Sequence, residues 1–178
     1  KRAVASPSDL EGLVIRVPES RVMQDTFTSW GAKAAPLSWS EVPDALRFGT
    51  FDGQENPYSI IVGANLQETQ KHLTPIKYNL WAGVILVCGE WYDALPENLR
   101  KAVDEAGREA AMWKMDKCKA ESAKFMEQLK AAGVVFTEPK NETEEWAGPA
   151  RKLWDSLYEK SGGKEWVDSV VAEIEKHK

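Results

Sequence analysis

Between Pro96 and Gly133 the chain carries no proline and a single internal glycine, Gly107. Leu99, Val103, Ala106, Ala110 and Trp113 recur there at helical spacing, and Met115, Cys118, Phe125, Met126 and Leu129 continue the stripe on a drifting face. Pro96 suits a first helical position and Gly133 the residue just past a helix end. At about 1.5 Å per residue such a helix runs roughly 55 Å. A compact domain of this size is only about 30–35 Å across. The helix is therefore expected to span two lobes or to protrude from one.

The segments before it alternate. Leu13-Val14-Ile15-Arg16-Val17 reads as a short buried strand closed by Pro18, and Glu19 to Ala32 as a helix stopped by Gly31. Pro36 to Trp39 is a second extended piece. Ser40 is a plausible N-cap of a helix ending near Gly49. Thr50-Phe51 is a strand stub, and Ser59 to Val62 a further strand. Strand, helix, strand, helix, strand is the pattern of an α/β layer, in which ligands gather beyond the carboxyl ends of the strands. Arg16 and the loop Asp52-Gly53-Gln54-Glu55-Asn56-Pro57 would then share one rim. Downstream, Trp81 to Gly89 reads as an apolar strand, Gly133 to Thr137 as a last strand, and Thr143–Tyr158 and Gly163–His177 as closing helices.

Composition excludes several classes of function. The 178 residues carry a net charge of −5, with 29% charged and 43% hydrophobic residues, which fits a globular protein of one domain or two small lobes. No basic face is present for nucleic acid. No apolar run approaches the roughly 20 residues of a membrane span. Cys88 and Cys118 form no CxxC and read as two separate buried thiols; His72 and His177 are isolated, so no metal site and no cofactor are expected. The fingerprints of phosphate loops, dinucleotide folds, zinc proteases and serine hydrolases are all missing. Glu19, Glu41, Asp52 and Glu55 could be paired on paper for acid–base work, but carboxylates are common in any acidic chain, and an enzyme is not expected. The Asn141-Glu142-Thr143 sequon is read as chance.

What remains is a binding constellation. Arg16 lies inside an otherwise apolar strand, and a buried guanidinium needs a partner. That partner is either Glu19 or Glu41, as an internal bridge, or a ligand carboxylate held by two parallel hydrogen bonds. Asn56 offers both donors and an acceptor, and Trp39 can stack on a ligand or fill core.

Arg16-Val17-Pro18-Glu19-Ser20, then Leu37-Ser38-Trp39-Ser40-Glu41-Val42, then Asp52 to Pro57, and finally Glu90-Trp91-Tyr92-Asp93-Ala94-Leu95-Pro96 resemble, in order and spacing, the DctP-type solute-binding proteins of tripartite ATP-independent periplasmic (TRAP) transporters. The resemblance covers about residues 8–138. It implies an α/β fold, a periplasmic-binding-protein-like clamshell of two lobes, here mainly the second lobe plus a long lobe-crossing helix. Residues 1–81 would form the second-lobe unit holding most of the site. Residues 82–133 would supply a strand returning to the first lobe and the spanning helix, and residues 134–178 the last strand and closing helices. It further implies a periplasmic protein, its signal peptide removed, that captures a carboxylate-containing solute for delivery to TRAP membrane subunits. Arg16 would take the carboxylate, Asn56 would hydrogen-bond the ligand, Trp39 would cover its apolar face, and Glu19 would line the pocket and favour hydroxyl-bearing acids such as sugar acids, with dicarboxylates also open. Family members are nearly twice this long, so a missing N-terminal portion or self-association is expected to cover the exposed apolar edge. The alternative is a structural or assembly domain, or an incomplete fragment, without binding activity of its own.

Overall fold

A computed structural model describes residues 1–176. Its organising element is β1 (Val14–Val17), flanked in parallel by β2 (Lys33–Pro36) on one side and β3 (Gly53–Gln54) on the other. The strand period of two sorts β1 between two cores. Ile15 and Val17 pack with Leu10, Phe27, Trp30, Ala32 and Trp146, whereas Val14 borders the cluster of Val42, Leu46, Phe51, Ile61, Leu66, Leu129 and Val134. The helices α1 (Arg21–Ser29) and α2 (Val42–Phe48) follow β1 and β2 as crossovers. Ser20 caps α1 by accepting from the Met23 N–H, and Gly49 ends α2 at φ +75°, a left-handed turn that glycine adopts without strain.

After β3 the chain forms α3 (Tyr58–Gly63), a 3₁₀ turn, and β4 (His72–Leu73). It then runs through an extended stretch into α4 (Gly89–Asp93) and α5 (Glu97–Ala131). The long helix is there, within a residue or two at each end of the expectation. Only its last turns are seated, through Leu129, which is fully buried and rests in the second core. β5 (Val135–Phe136) then pairs in parallel with β4 as a separate two-stranded sheet. The remainder comprises a π-helical stretch (Glu142–Ala147), α6 (Gly148–Arg151), two 3₁₀ turns and α7 (Lys164–Glu175). The π-helical stretch ties back to the first core: the Trp30 indole donates to the Trp146 carbonyl at 2.7 Å, and the two rings meet edge to face at 5.1 Å.

Several expectations are corrected. Ser59–Val62 is helical, inside α3, because a short apolar run after a proline has no period that separates helix from strand. The strand after α2 forms at Gly53–Gln54 rather than Thr50–Phe51, and the extended piece near Pro36 ends there, with Trp39 already in a 3₁₀ turn. The residue capping α2 is Glu41, not Ser40. Trp81–Cys88 has no regular structure, and Val84, Ile85 and Leu86 stand 76%, 61% and 84% exposed: an apolar strand-former has no neighbour to pair with. The expected helix over 143–158 is broken into pieces: it changes from π to α at Gly148-Pro149, and from Lys152 onward gives way to turns and the 3₁₀ turn Trp154–Ser156. Cys88 and Cys118 are free and exposed, not buried. His177 lies outside the described residues.

Candidate functional site

The three parallel strands end on one side of the molecule, and all four sequence-predicted site residues lie at that carboxyl edge. Arg16 is the penultimate residue of β1, and Glu19 follows in the turn to α1. Trp39 lies three residues beyond β2 and Asn56 two beyond β3. A sheet with three parallel strands makes this convergence automatic, since every exit loop leaves on the same side.

Arg16 is only 5% exposed. Its Nε and Nη2 both donate to the Leu37 carbonyl, at 3.0 and 2.7 Å. The Leu37 N–H in turn donates to the Val17 carbonyl at 3.3 Å, so β1 itself holds the clamp in register. The guanidinium carbon lies 5.7 Å from the centre of the Trp39 ring, which is 43% exposed. One edge of the fork is thus fixed to backbone and the cation sits beside a half-open indole. Among the described residues no carboxylate pairs with Arg16 within 4 Å, so the internal bridge to Glu19 or Glu41 is not made. Glu19 is exposed.

The loop after β3 is built in layers. Asp52 opens it: its carboxylate accepts from the Val14 N–H at 2.8 Å and pairs with the Lys1 ammonium, while its own N–H donates to the Val14 carbonyl at 2.8 Å. The bond to Lys1, and then that to the Val14 N–H, hold the Asp52 carboxyl below the usual carboxylate range. Gly53 follows because the strand passes so near β1 that a Cβ there would stand 3.1 Å from Ile15 Cδ1. Gln54 is the ladder neighbour of Arg16, and its side-chain carbonyl accepts from the Asn56 amide. Asn56 is therefore linked to the arginine position through Gln54.

Glu55 is the carboxylate that acts on Arg16. Burial pushes its carboxyl up, opposed by the nearby Tyr78 hydroxyl and by the charge of Arg16. Burial likewise pulls the Arg16 guanidinium down, and Glu55 offsets part of that. The Tyr78 hydroxyl is driven far up by burial and by Glu55. Glu55 Oε1 and the Tyr78 oxygen are close enough to influence each other, yet neither completes a hydrogen bond of good geometry. The sequence offered Glu55 only as a member of the polar loop and as one of four carboxylates for acid–base work, not as a neighbour of Arg16. Tyr78, 23 positions further on, gave no local signal at all.

The family model described as bacterial extracellular solute-binding protein, family 7 (DctP), matches residues 1–161. The chain belongs to this family. A solute-binding protein of Verminephrobacter eiseniae is 36% identical over 135 residues, covering 76% of this family-7 chain and 40% of that relative. A TRAP periplasmic solute-binding protein of Rhodobacter sphaeroides, solved in an open form without ligand, superposes with TM-score 0.83 at 30% identity, over 99% of this chain and 58% of that one. Another from Polaromonas, solved with D-erythronate bound, superposes with TM-score 0.83 at 26% identity, over 89% and 52%. The family-7 chain thus spans about half the length of the proteins it matches, and its α/β fold is that of their clamshells. Family-7 proteins are carriers, not enzymes.

Proposed function

We propose that this family-7 chain provides the carboxylate-anchoring half of a periplasmic solute-binding protein that delivers an organic acid to the membrane subunits of a TRAP transporter. The observation that carries the proposal is Arg16: a guanidinium buried at the sheet's carboxyl edge, bonded along one side to the Leu37 carbonyl and without an ion-pair partner among the described residues. Burying a cation without a counter-charge is costly, and an incoming carboxylate relieves that cost through charge-assisted hydrogen bonds. Asn56 donates to the same ligand, Trp39 covers its apolar face, and Glu19 accepts from hydroxyls at the rim. The D-erythronate held by the Polaromonas relative is an acid of this kind, a carboxylate on a hydroxylated chain. In this proposal, residues 1–81 are the second-lobe unit, residues 82–133 reach the other lobe, and residues 134–178 return. The location named for the two solved relatives, the periplasm, is carried over with the family.

Calorimetric titration of a family-length protein containing this chain with D-erythronate, succinate and a neutral sugar tests the proposal. Binding of at least one acid and none of the neutral sugar is expected; acid binding unaffected by Arg16→Ala would overturn it. One observation favours a second reading, in which Arg16 is a purely structural clamp: both hydrogen bonds it makes already serve a backbone carbonyl.

A further inference from the structure

The proposed function leaves Glu55 without a part, although its charge reaches Arg16. Among the described residues no cation lies within 4 Å of its carboxylate. Its Oε1 is buried and unbonded, and so is the Tyr78 hydroxyl oxygen beside it. Tyr78 is held from behind: its ring meets Phe27 and Trp30 edge to face, each at 5.5 Å. A carboxylate only accepts hydrogen bonds, whereas the protonated group also donates. A proton on Glu55 would give the two oxygens a second donor, and with it a bond in either direction. Burial favours that neutral form, and the cation of Arg16 opposes it. The balance therefore turns on the net charge at Arg16, which in the free protein bonds only a neutral carbonyl, that of Leu37.

We propose that Glu55 takes up a proton from solvent as Arg16 receives the ligand carboxylate, so that capture of the acid tightens as pH falls. The inference rests on Arg16 being the anchor. An anion arriving at Arg16 cancels the field that favours ionised Glu55 and adds its own repulsion, and two carboxylates that share one cation site do not both stay ionised easily. One proton moves from the buffer to the Glu55 carboxylate, and no other covalent bond forms or breaks. Tyr78 stays neutral throughout, since burial and Glu55 both drive its hydroxyl far up. Glu55 and Tyr78 line a cleft whose other charged side chains are Lys1, Arg2, Asp52, Lys77, Lys114 and Glu121, with His72 as its histidine. Of all these groups, only Arg16 from β1 and Tyr78 from the segment after β4 act on Glu55. The sign follows from linkage: the bound state holds more protons than the free state, so affinity rises on acidification, by at most about tenfold per pH unit for one proton. Affinity levels off once Glu55 is neutral in both states, and again once it is ionised in both.

The experiment is calorimetric titration of a family-length protein containing this chain with D-erythronate and D-glucuronate, between about pH 5.5 and 8.5. Both are monocarboxylates, and an ordinary carboxyl, with a pKa of about 4, stays ionised over that range. Each titration is repeated in two buffers of different ionisation enthalpy, which counts the protons taken up. Expected is affinity about 10-fold tighter at the acid end, with uptake of a fraction of a proton up to one. Glu55→Gln, a neutral group of the same shape, should bind at every pH about as tightly as the unmodified protein does at the acid end, and should take up none. Histidine also titrates in this range, so His72→Gln is the control and should keep the slope. Affinity independent of pH with no proton uptake would overturn the coupling and leave Arg16 as anchor; this readout needs only the unmodified protein. A slope that persists in Glu55→Gln, or vanishes in His72→Gln, would overturn it as well. Failure of both acids to bind at any pH would remove the carboxylate-anchoring reading itself, and the coupling with it.

Discussion

Replacing Arg16 with alanine separates the two roles its position allows. In the free protein the side chain makes two hydrogen bonds to one carbonyl, that of Leu37. Bonds from a charged donor are worth about 1.5–3 kcal/mol, and the pair shares one acceptor. Removing a desolvated charge returns part of this. The net loss of stability is therefore about 1–2 kcal/mol, which for a chain of this size lowers the melting temperature by about 2–8 °C. Ligand binding suffers more. A carboxylate left without its arginine costs at least about 2 kcal/mol, or about 30-fold in Kd. Arg16→Lys keeps the charge but not the fork, and is expected to recover part of the affinity and little of the Leu37 clamp. The assay is thermal unfolding beside calorimetric titration with the acid that binds the unmodified family-length protein. A drop in melting temperature with acid affinity within about threefold of the original would refute Arg16 as anchor and leave it a structural clamp.

Three further outcomes are expected. Asp52, held low by Lys1 and by the Val14 N–H, stabilises the fold above the ordinary carboxylate pKa of about 3.9 and loses that contribution as pH falls through its lower folded value; Asp52→Asn should flatten the acid limb of a stability–pH curve, and an unchanged limb would remove Asp52 from the account. Glu55 is shifted the other way, so its ionised form costs stability as pH rises through its raised pKa; Glu55→Gln should hold or raise the melting temperature at pH 7 and, by removing a carboxylate whose charge acts on Arg16, tighten acid binding a few-fold, whereas weaker binding would mean that Glu55 helps the ligand directly. The apolar stretch around Val84, Ile85 and Leu86 should make the isolated chain self-associate, visible as a size that grows with concentration in sedimentation; Ile85→Asp should reduce it, and a size independent of concentration would contradict the expectation.

How much of this was legible in the sequence depended on whether a local rule decided the outcome. The long helix was, since an apolar stripe at helical spacing runs through a stretch without proline, and its ends fell beside Pro96, which stands at the N-cap rather than the first helical position, and Gly133. So was β1, whose apolar residues alternate around Arg16, and so was the convergence of three exit loops, which follows from parallel strands. Ser59–Val62 was not: Tyr-Ser-Ile-Ile-Val suits either structure, and only the seating of Ile61 in the second core fixes it as helix. Trp81–Cys88 failed for a different reason. Its β preference is real, but a strand needs a neighbour, and propensity alone cannot supply one. At the site, the meeting of Arg16 and the loop carrying Asn56 on one rim was readable from the strand order, whereas a ligand role for Trp39 rather than a core one came only with the family resemblance. Glu55 acquires its role through burial, beside Arg16 and a Tyr78 brought in from beyond β4, and Leu37 acts through its carbonyl, which no side-chain pattern reveals.

The uneven seating of α5 has a consequence for how the chain comes apart. Its last turns are pinned by Leu129, whereas Leu99, Met112, Trp113 and Met115 are all about half exposed or more. What holds the first two-thirds is its own backbone ladder and surface pairs such as Glu97–Lys101 and Lys117–Glu121, each worth only a few tenths of a kcal/mol. Opening free energy must therefore climb along the helix, from nearly nothing at Glu97 to the full stability of the core at Leu129. On heating, the helix unwinds from its amino end toward an intact sheet, so the helical signal begins to fall before the tryptophans at positions 30 and 146 leave their buried environment. An endoprotease nicks the same arm ahead of Phe125 and Met126, where the helix begins to meet the body of the protein.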